Sequence, residues 1–233
     1  MYYGLDPLYY ALTIPAVLLA LWDQMKVSMA YSKYSRVRNA RGISGAQAAK
    51  ELLDAAGVYD VDVTMTEGWL SDHYDPTSRT LRLSAQVYSG DSVAAIGVAA
   101  HEAGHALQHA HGYALMGLRN FIVPAASIGS YLSWPLIVIG FMLSSLALVK
   151  AGVLFFSGVV VFQLVTLPVE FNASSRAKAL LSAQGIVTTE EEALGVERML
   201  SAAAMTYVAA TIGALLQLLY FLLRMGALGR RDD

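Results

Sequence analysis

Two histidines four residues apart, with a glutamate directly after the first, form the pattern His101-Glu102-Ala103-Gly104-His105. On an α-helix, side chains at this spacing share one face and lie about 6 Å apart along the axis, so both imidazoles can meet one cation. Glu102 is then positioned to take a proton from a water that zinc activates. The pattern predicts a zinc site in which His101 and His105 are ligands and Glu102 is the general base.

A zinc site of this kind needs a third ligand, which must come from the rest of the chain. No histidine follows His111, so the downstream candidates are carboxylates. Thr189 and Glu192 match a capping box, and acids in a first helical turn suit the positive end of the helix dipole. The downstream candidates are Glu170, Glu190, Glu191, Glu192, Glu197 and the acids of the C-terminal tail.

Glu170 differs from the other downstream acids because it follows Leu167-Pro168-Val169 at the end of an apolar stretch. An ionisable group there is costly unless it has a partner. We therefore expect Glu170 to be the third ligand. The alternative is an interfacial carboxylate paired with Arg176 or Lys178.

The remaining histidines give a rival ligand set. His111 follows His105 by six residues, which is the metzincin spacing, but Gln108 stands where that pattern has a helix-breaking glycine. Without a break, His111 points away from the other two histidines. We expect His109, one turn beyond His105, to be interfacial or to support a ligand, and His73 to be a surface residue beside a turn.

The composition is typical of a membrane protein, with 56% hydrophobic and 15% charged residues. Four stretches approach or exceed the ~20 residues that cross a bilayer as helix. These stretches are residues 5–22, 121–149, 152–169 and 202–223. The net charge of −2 gives no global attraction to nucleic acid, and the absence of cysteine excludes disulfides and thiolate ligands.

The order of the stretches divides the chain into three parts. Residues 1–22 read as an uncleaved anchor, because no small-residue cleavage site follows the first stretch. Residues 23–92 carry eight Lys and Arg, which favours the cytoplasmic side. Residues 93–233 form one catalytic unit, in which a hairpin of two spans with a turn near Lys150 returns the chain to the face that it left. Arg224, Arg230 and Arg231 do not fit this orientation.

The polar region contains signals for short helices and strands. Ser44 and Gly57 bound an amphipathic helical pattern, and Ser92 caps a helix that runs through the histidines to about Ala110. Alternating residues from 61 to 65, and residues 80–83 after a turn at 75–78, predict strands. The strand of Thr80, Leu81, Arg82 and Leu83 is a candidate edge for pairing with an extended substrate.

Four segments together resemble the YugP-like membrane zinc metallopeptidases, over a region from about Asp72 to Leu219. The segments are Asp72-His73-Tyr74-Asp75-Pro76, His101-Glu102-Ala103-Gly104-His105-Ala106-Leu107-Gln108-His109, Thr166-Leu167-Pro168-Val169-Glu170-Phe171 and Ala203-Ala204-Met205-Thr206-Tyr207-Val208-Ala209. The resemblance implies a gluzincin-type zinc peptidase with Glu170 as the third ligand. It also implies the inner (plasma) membrane of a prokaryote as location.

The sequence departs from the family pattern close to Glu170. The family favours an aspartate two residues after the glutamate, where this chain has Asn172, and more distant relatives have one four residues after it, where Ser174 stands. Support of a histidine ligand would then come from an amide or a hydroxyl. Arg176 and Tyr207 are candidate oxyanion donors.

The expected fold is a mainly α-helical polytopic membrane protein with about four transmembrane helices and a small zincin-like α+β portion before the active helix. The expected function is zinc-dependent hydrolysis of membrane or membrane-proximal proteins on the cytoplasmic side, with one Zn²⁺ per chain. The expected partners are lipids and a protein or peptide substrate, with a membrane-protein partner or a second copy left open. The alternative is a non-catalytic membrane scaffold or assembly factor with a structural zinc, and a transporter is a third idea.

Overall fold

The computed structural model describes residues 6–68 and 71–229. Within these residues, helices predominate, and a small sheet lies before the helix that carries the motif His101-Glu102-Ala103-Gly104-His105, which we call the HEXXH helix. The order along the chain is α1 (Pro7–Tyr34), α2 (Gly45–Ala55), β1 (Asp62–Thr66), β2 (His73–Asp75), β3 (Thr80–Ser84), α3 (Ala85–Ser89), α4 (Val93–Ala110), α5 (Ala114–Met142), α6 (Leu146–Ala183) and α7 (Glu190–Gly229). The predicted fold class, mainly α with a small sheet, is confirmed.

Four of the helices, α1, α5, α6 and α7, are long and apolar enough to cross a membrane. They cover most of the four predicted stretches, although the second stretch, residues 121–149, crosses the end of α5 and enters α6. Helices α6 and α7 also continue unbroken into polar sequence beyond the predicted stretches. The prediction of four spans is confirmed by length and composition. Leu5 at the start of the first stretch, and Arg230 and Arg231 in the tail, lie outside the described residues.

The turn between the second and third spans was predicted in the wrong place. Lys150 lies inside α6, and the chain turns at residues 143–145 instead. Ser144 there adopts a left-handed conformation with φ +51°, which ends α5. Only two polar residues, Ser144 and Ser145, interrupt the apolar sequence at this turn, so hydropathy alone did not separate the end of one helix from the start of the next.

The chain divides into two compact units. We call the described part of residues 1–22, 118–167 and 206–233 the apolar unit, and residues 23–117 with 168–205 the HEXXH unit. In the apolar unit, a core cluster includes Ile137, Val153, Phe156 and Phe221. Asp6, at the start of α1, accepts a hydrogen bond of 2.9 Å from the hydroxyl of Tyr220 and lies 3.4 Å from Arg224.

The HEXXH unit has a three-stranded sheet beside helices α2, α3 and α4. Ser44 and Gln47 form a capping box at the start of α2, and Ser92 accepts a hydrogen bond from the backbone N–H of Ala95 at the start of α4. Both predicted caps are confirmed. The caps fix the residues at which the two helices begin. Leu52 and Leu53 of α2 and Ile96 of α4 are buried in the same hydrophobic core.

The strand of residues 80–83 was predicted to be an edge, and that prediction is wrong. The strand order is β1-β3-β2, so β3 is the central strand. It pairs in parallel with β1 and antiparallel with β2. Both sides of its backbone are therefore occupied, and a substrate cannot pair there. The sequence did not reveal β2, which is only three residues long.

The predicted capping box at Thr189 and Glu192 is confirmed, and Glu192 has a second task. Its Oε2 accepts the backbone N–H of Thr189 at 2.9 Å, and its own N–H donates to the Thr189 hydroxyl at 3.2 Å. Its Oε1 accepts the backbone N–H of Ala40 at 2.6 Å. The buried carboxylate thus joins the start of α7 to the loop between α1 and α2.

Candidate metal centre

Helix α4 carries the two histidines and the glutamate of the motif on consecutive turns. Its N-terminus is fixed by Ser92, and it ends at Ala110, after which His111 caps the helix and Gly112 takes up a left-handed φ of +63°. Gly104 allows a second helix to approach this one closely. A Cβ at Gly104 would lie 2.7 Å from the carbonyl oxygen of Ala173 on α6, so any larger residue would push α6 away. The glycine inside the motif therefore brings α6, and with it Glu170, to the histidines.

The side chains of His101, His105 and Glu170 converge. Their donor atoms all lie within 4.8 Å of one another, and among the described residues they form the one group of His, Asp or Glu suited to a metal ion. One oxygen of Glu170 lies 3.3 Å from Nε2 of His101 and 3.5 Å from Nε2 of His105. The two imidazole rings stand nearly perpendicular, with centroids 4.8 Å apart.

This geometry fits zinc. Two ligand atoms that each lie ~2.1 Å from a tetrahedral metal are ~3.4 Å apart. The separations between the Glu170 oxygen and the two ring nitrogens, 3.3 and 3.5 Å, match that value. Two imidazoles and one carboxylate also leave a fourth position for water, as in catalytic zinc sites.

The far nitrogen of each histidine ring has a hydrogen-bond partner that fixes the orientation of the ring. Nδ1 of His101 lies 3.1 Å from the hydroxyl of Ser174, and Nδ1 of His105 lies 3.0 Å from Oε1 of Gln108. An amide oxygen only accepts hydrogen bonds, so in the neutral ring the proton lies on Nδ1 of His105 and the lone pair of Nε2 faces Glu170. Such outer partners hold metal-binding histidines in the right tautomer.

The amide of Gln108 is itself held in one orientation. Its Nε2 donates to the backbone oxygen of Val169 at 2.8 Å and to Oδ1 of Asn172 at 3.0 Å. Oδ1 of Asn172 also accepts a hydrogen bond of 2.8 Å from Arg176, whose guanidinium lies 3.2 Å from Nδ1 of His111. Gln108 is fully buried. From the sequence, Gln108 was notable only because it stands where the metzincin pattern has a glycine, and its spacing from His105 did not indicate a hydrogen bond between them.

Glu102 contacts the sheet. Its carboxylate accepts a hydrogen bond of 3.1 Å from the backbone N–H of Tyr74 in β2. Burial raises the pKa of Glu102 to about 7, an effect that the imidazole of His101 opposes and the carboxylates of Glu170 and Asp72 reinforce. A carboxyl group with a pKa near neutrality can both take up and release a proton, as a general base and acid must.

The other predicted site residues lie in different surroundings. The Nδ1 of His109 is 2.8 Å from the Tyr74 hydroxyl, so His109 contacts the residue that holds Glu102. His73 is exposed and lies in β2, with its Nδ1 2.7 Å from the backbone oxygen of Ser71. Arg176 contacts Asn172 and His111. Tyr207 belongs to α7 within the apolar unit.

Replacing Gln108 by leucine is expected to weaken zinc binding by ~10–100-fold, the usual cost of losing an outer partner of a metal ligand. The change removes the acceptor for the Nδ1–H of His105 while nearly conserving volume. Zinc affinity is measured by competition with a chromophoric chelator. Gln86→Leu, on an exposed position of α3, is the matched control and should bind zinc as the wild type does. Equal affinity of the Gln108→Leu variant and the wild type would contradict a supporting role.

Comparisons with known proteins agree with the chemistry of this centre. A family model described as "Putative neutral zinc metallopeptidase" matches residues 9–226. The chain is 48% identical over 226 residues to the "Putative membrane protease YugP" of Bacillus subtilis (strain 168), covering 97% of this chain and 99% of that protein. No solved structure matches the chain. The four apolar helices and the similarity to this relative indicate a membrane protein. Because the family model matches nearly the whole length of the chain, the chain belongs to the family of neutral zinc metallopeptidases.

Proposed function

We propose that this protein is a zinc-dependent endopeptidase that cleaves membrane or membrane-proximal proteins, with one Zn²⁺ per chain held by His101, His105 and Glu170. The convergence of these three side chains carries the proposal. Glu102 adds a specific argument for catalysis. It follows a ligand directly in sequence and its carboxylate is held by the Tyr74 N–H, whereas a structural zinc site has no need of such a base.

Each residue of the centre has a separate role in the proposed hydrolysis. Zinc, when bound, supplies a Lewis acid that lowers the pKa of water to ~7 and polarises a peptide carbonyl. Glu102 takes a proton from the attacking water and delivers it to the nitrogen of the departing amine. Tyr74 orients Glu102 through its backbone N–H, and Ser174 and Gln108 orient the two histidines. The oxyanion donor is proposed to be Arg176.

The proposed location of the centre is the cytoplasmic side of the inner membrane of a prokaryote. The eight Lys and Arg between residues 23 and 92 support this side, since such residues are enriched in cytoplasmic segments next to spans. In this arrangement, residues 1–22 are an uncleaved anchor, residues 23–92 are cytoplasmic and residues 93–233 complete the catalytic unit. The name of the Bacillus relative, a membrane protease, supports proteins in or near the bilayer as substrates.

Removal of the metal tests the proposal. Full-length protein in lipid vesicles is assayed with a library of quenched fluorescent peptides, before and after dialysis against a zinc chelator. We expect the chelator to abolish cleavage, because without the metal neither the water nor the carbonyl is activated. One equivalent of zinc should restore it. Cleavage that survives the loss of zinc would contradict the proposed mechanism, and zinc binding without cleavage of any peptide would favour the scaffold alternative.

A further inference from the structure

A groove of about 380 Å³ opens between α6 and α7 within the HEXXH unit. Its volume is in the range of ~300–1,000 Å³ that is typical of small-molecule sites. Phe171 and Met205 line it and stay 44% and 37% exposed, while Leu200 and Ala204 line it and are buried. The groove is therefore an apolar channel that is open along one side.

Four of the residues that line the groove are small. Ser174 and Ser175 on α6, together with Ser201 and Ala204 on α7, leave a gap that larger side chains would close. Phe171 is the lining residue closest along α6 to the apolar stretch of residues 152–169. The apolar part of the groove thus adjoins the sequence that is suited to hydrocarbon.

The opposite end of the groove carries a lysine. Lys178 lines it two turns of α6 beyond Phe171, and its ammonium is 4.0 Å from the carboxylate of Glu197. Both side chains of this pair are substantially exposed, so the pair is weak and leaves the ammonium accessible. Arg198 precedes Ser201 by three residues and so shares its side of α7. An apolar channel with a cation at one end matches an amphiphile with an anionic head.

The position of the groove relative to His101 argues against the cleaved peptide as its occupant. Ser174 lines the groove, and its hydroxyl is 3.1 Å from Nδ1 of His101. The metal-facing nitrogen of that ring is Nε2, which lies near Glu170. A molecule in the groove would therefore be separated from the metal position by Ser174 and the imidazole ring.

We infer that this groove binds one anionic phospholipid, with an acyl chain along Phe171, Leu200 and Met205 and the phosphate at Lys178. Basic pockets between membrane helices are known to hold anionic headgroups. The bound chain would pack against Ser174 and so against the partner of His101. This inference does not require the protein to be a peptidase, because it concerns binding alone.

The test is lipid binding by the purified full-length protein. Delipidated protein in neutral detergent is titrated with phosphatidylglycerol or phosphatidylcholine of identical acyl chains, and bound lipid is counted by native mass spectrometry. We expect phosphatidylglycerol to be preferred, and Lys178→Gln to weaken it about fivefold, the contribution of one lysine to attraction of anionic lipid. Glu197→Gln, which removes the competing carboxylate, should strengthen it.

Two further variants separate the contribution of the Lys178 charge from that of the space within the groove. Lys50→Gln removes a lysine of similar exposure on α2 and should leave binding unchanged. Ser201→Trp, which narrows the groove from its exposed wall, should weaken both lipids. Equal binding of the two lipids by the wild type, or wild-type affinity for phosphatidylglycerol in Lys178→Gln, would overturn the inference. Displacement of phosphatidylglycerol by a cleavable peptide would also overturn it and would assign the groove to the substrate.

Discussion

Replacing Glu102 by glutamine is expected to lower kcat by about a thousandfold, within the 10²–10⁴-fold that general acid–base groups contribute, while zinc stays bound. Glutamine has nearly the same shape and can still accept the N–H of Tyr74, but it cannot take up a proton. Since Glu102 is not one of the three converging donors, the metal should be unaffected. The measurements are the cleavage rate in vesicles and the zinc content of the same preparation.

The control for this variant is Glu51→Gln, which makes the same chemical change at a partly exposed carboxylate on α2 that pairs with Arg41. It should retain the wild-type rate. A Glu102→Gln protein that cleaves as fast as the wild type would exclude Glu102 as the base. Loss of zinc from this variant would instead show that the substitution disturbs the ligands, and the lost rate would then not report on proton transfer.

Replacing Glu170 by glutamine is expected to remove zinc from the protein almost completely. Glu170 is the one negatively charged residue among the three proposed ligands. Its loss should lower the zinc affinity by more than the ~10–100-fold that follows the loss of a residue hydrogen-bonded to a ligand. Glu170 is almost fully buried, and glutamine conserves its volume, so the fold without zinc should be retained. Zinc at a thousand times its Kd raises the stability of a protein by ~4 kcal/mol.

Thermal unfolding in the same detergent checks this expectation. The Tm of the wild type should rise when zinc is added, whereas the Tm of Glu170→Gln should not. Without zinc the two proteins should unfold at similar temperatures. An equal zinc-dependent rise in both would contradict Glu170 as a ligand. Glu190→Gln, in the first turn of α7, changes a carboxylate that the sequence also offered as a candidate and should behave as the wild type.

Features with a fixed local spacing were predictable from the sequence. The capped helix that carries His101, Glu102 and His105 follows from a serine cap and a four-residue spacing, both of which act within one helix. Glu170 could be selected because a lone acid beside an apolar stretch needs a partner. The four membrane helices followed from the length of the apolar stretches.

Features that depend on contacts between distant segments were not predictable. Gln108 supports His105 only because α6 brings Val169 and Asn172 to its amide. The short strand β2 exists through pairing with β3, which is why residues 80–83 were mistaken for an edge. The need for glycine at position 104 comes from the close approach of the Ala173 carbonyl on α6, which the sequence of the motif does not reveal.

The contact between Tyr74 and Glu102 shows how the sheet contributes to the centre. Tyr74 pairs with Leu81 in the antiparallel ladder, yet its N–H donates to Glu102 and not to β3. This orientation is expected at a non-hydrogen-bonded position of an antiparallel pair, where backbone groups point outward. The hydroxyl of the same residue reaches His109 on α4. One residue of a three-residue strand thus ties the base and its helix to the sheet.

X-ray absorption at the zinc edge of the loaded wild-type protein measures the proposed zinc coordination directly. We expect one zinc per chain with two imidazole nitrogens at ~2.0–2.1 Å, one carboxylate oxygen at ~2.0–2.2 Å and a further oxygen from water. The water should be displaced by a hydroxamate inhibitor. A zinc with four protein ligands that the inhibitor does not disturb, or a protein that binds no zinc, would contradict it.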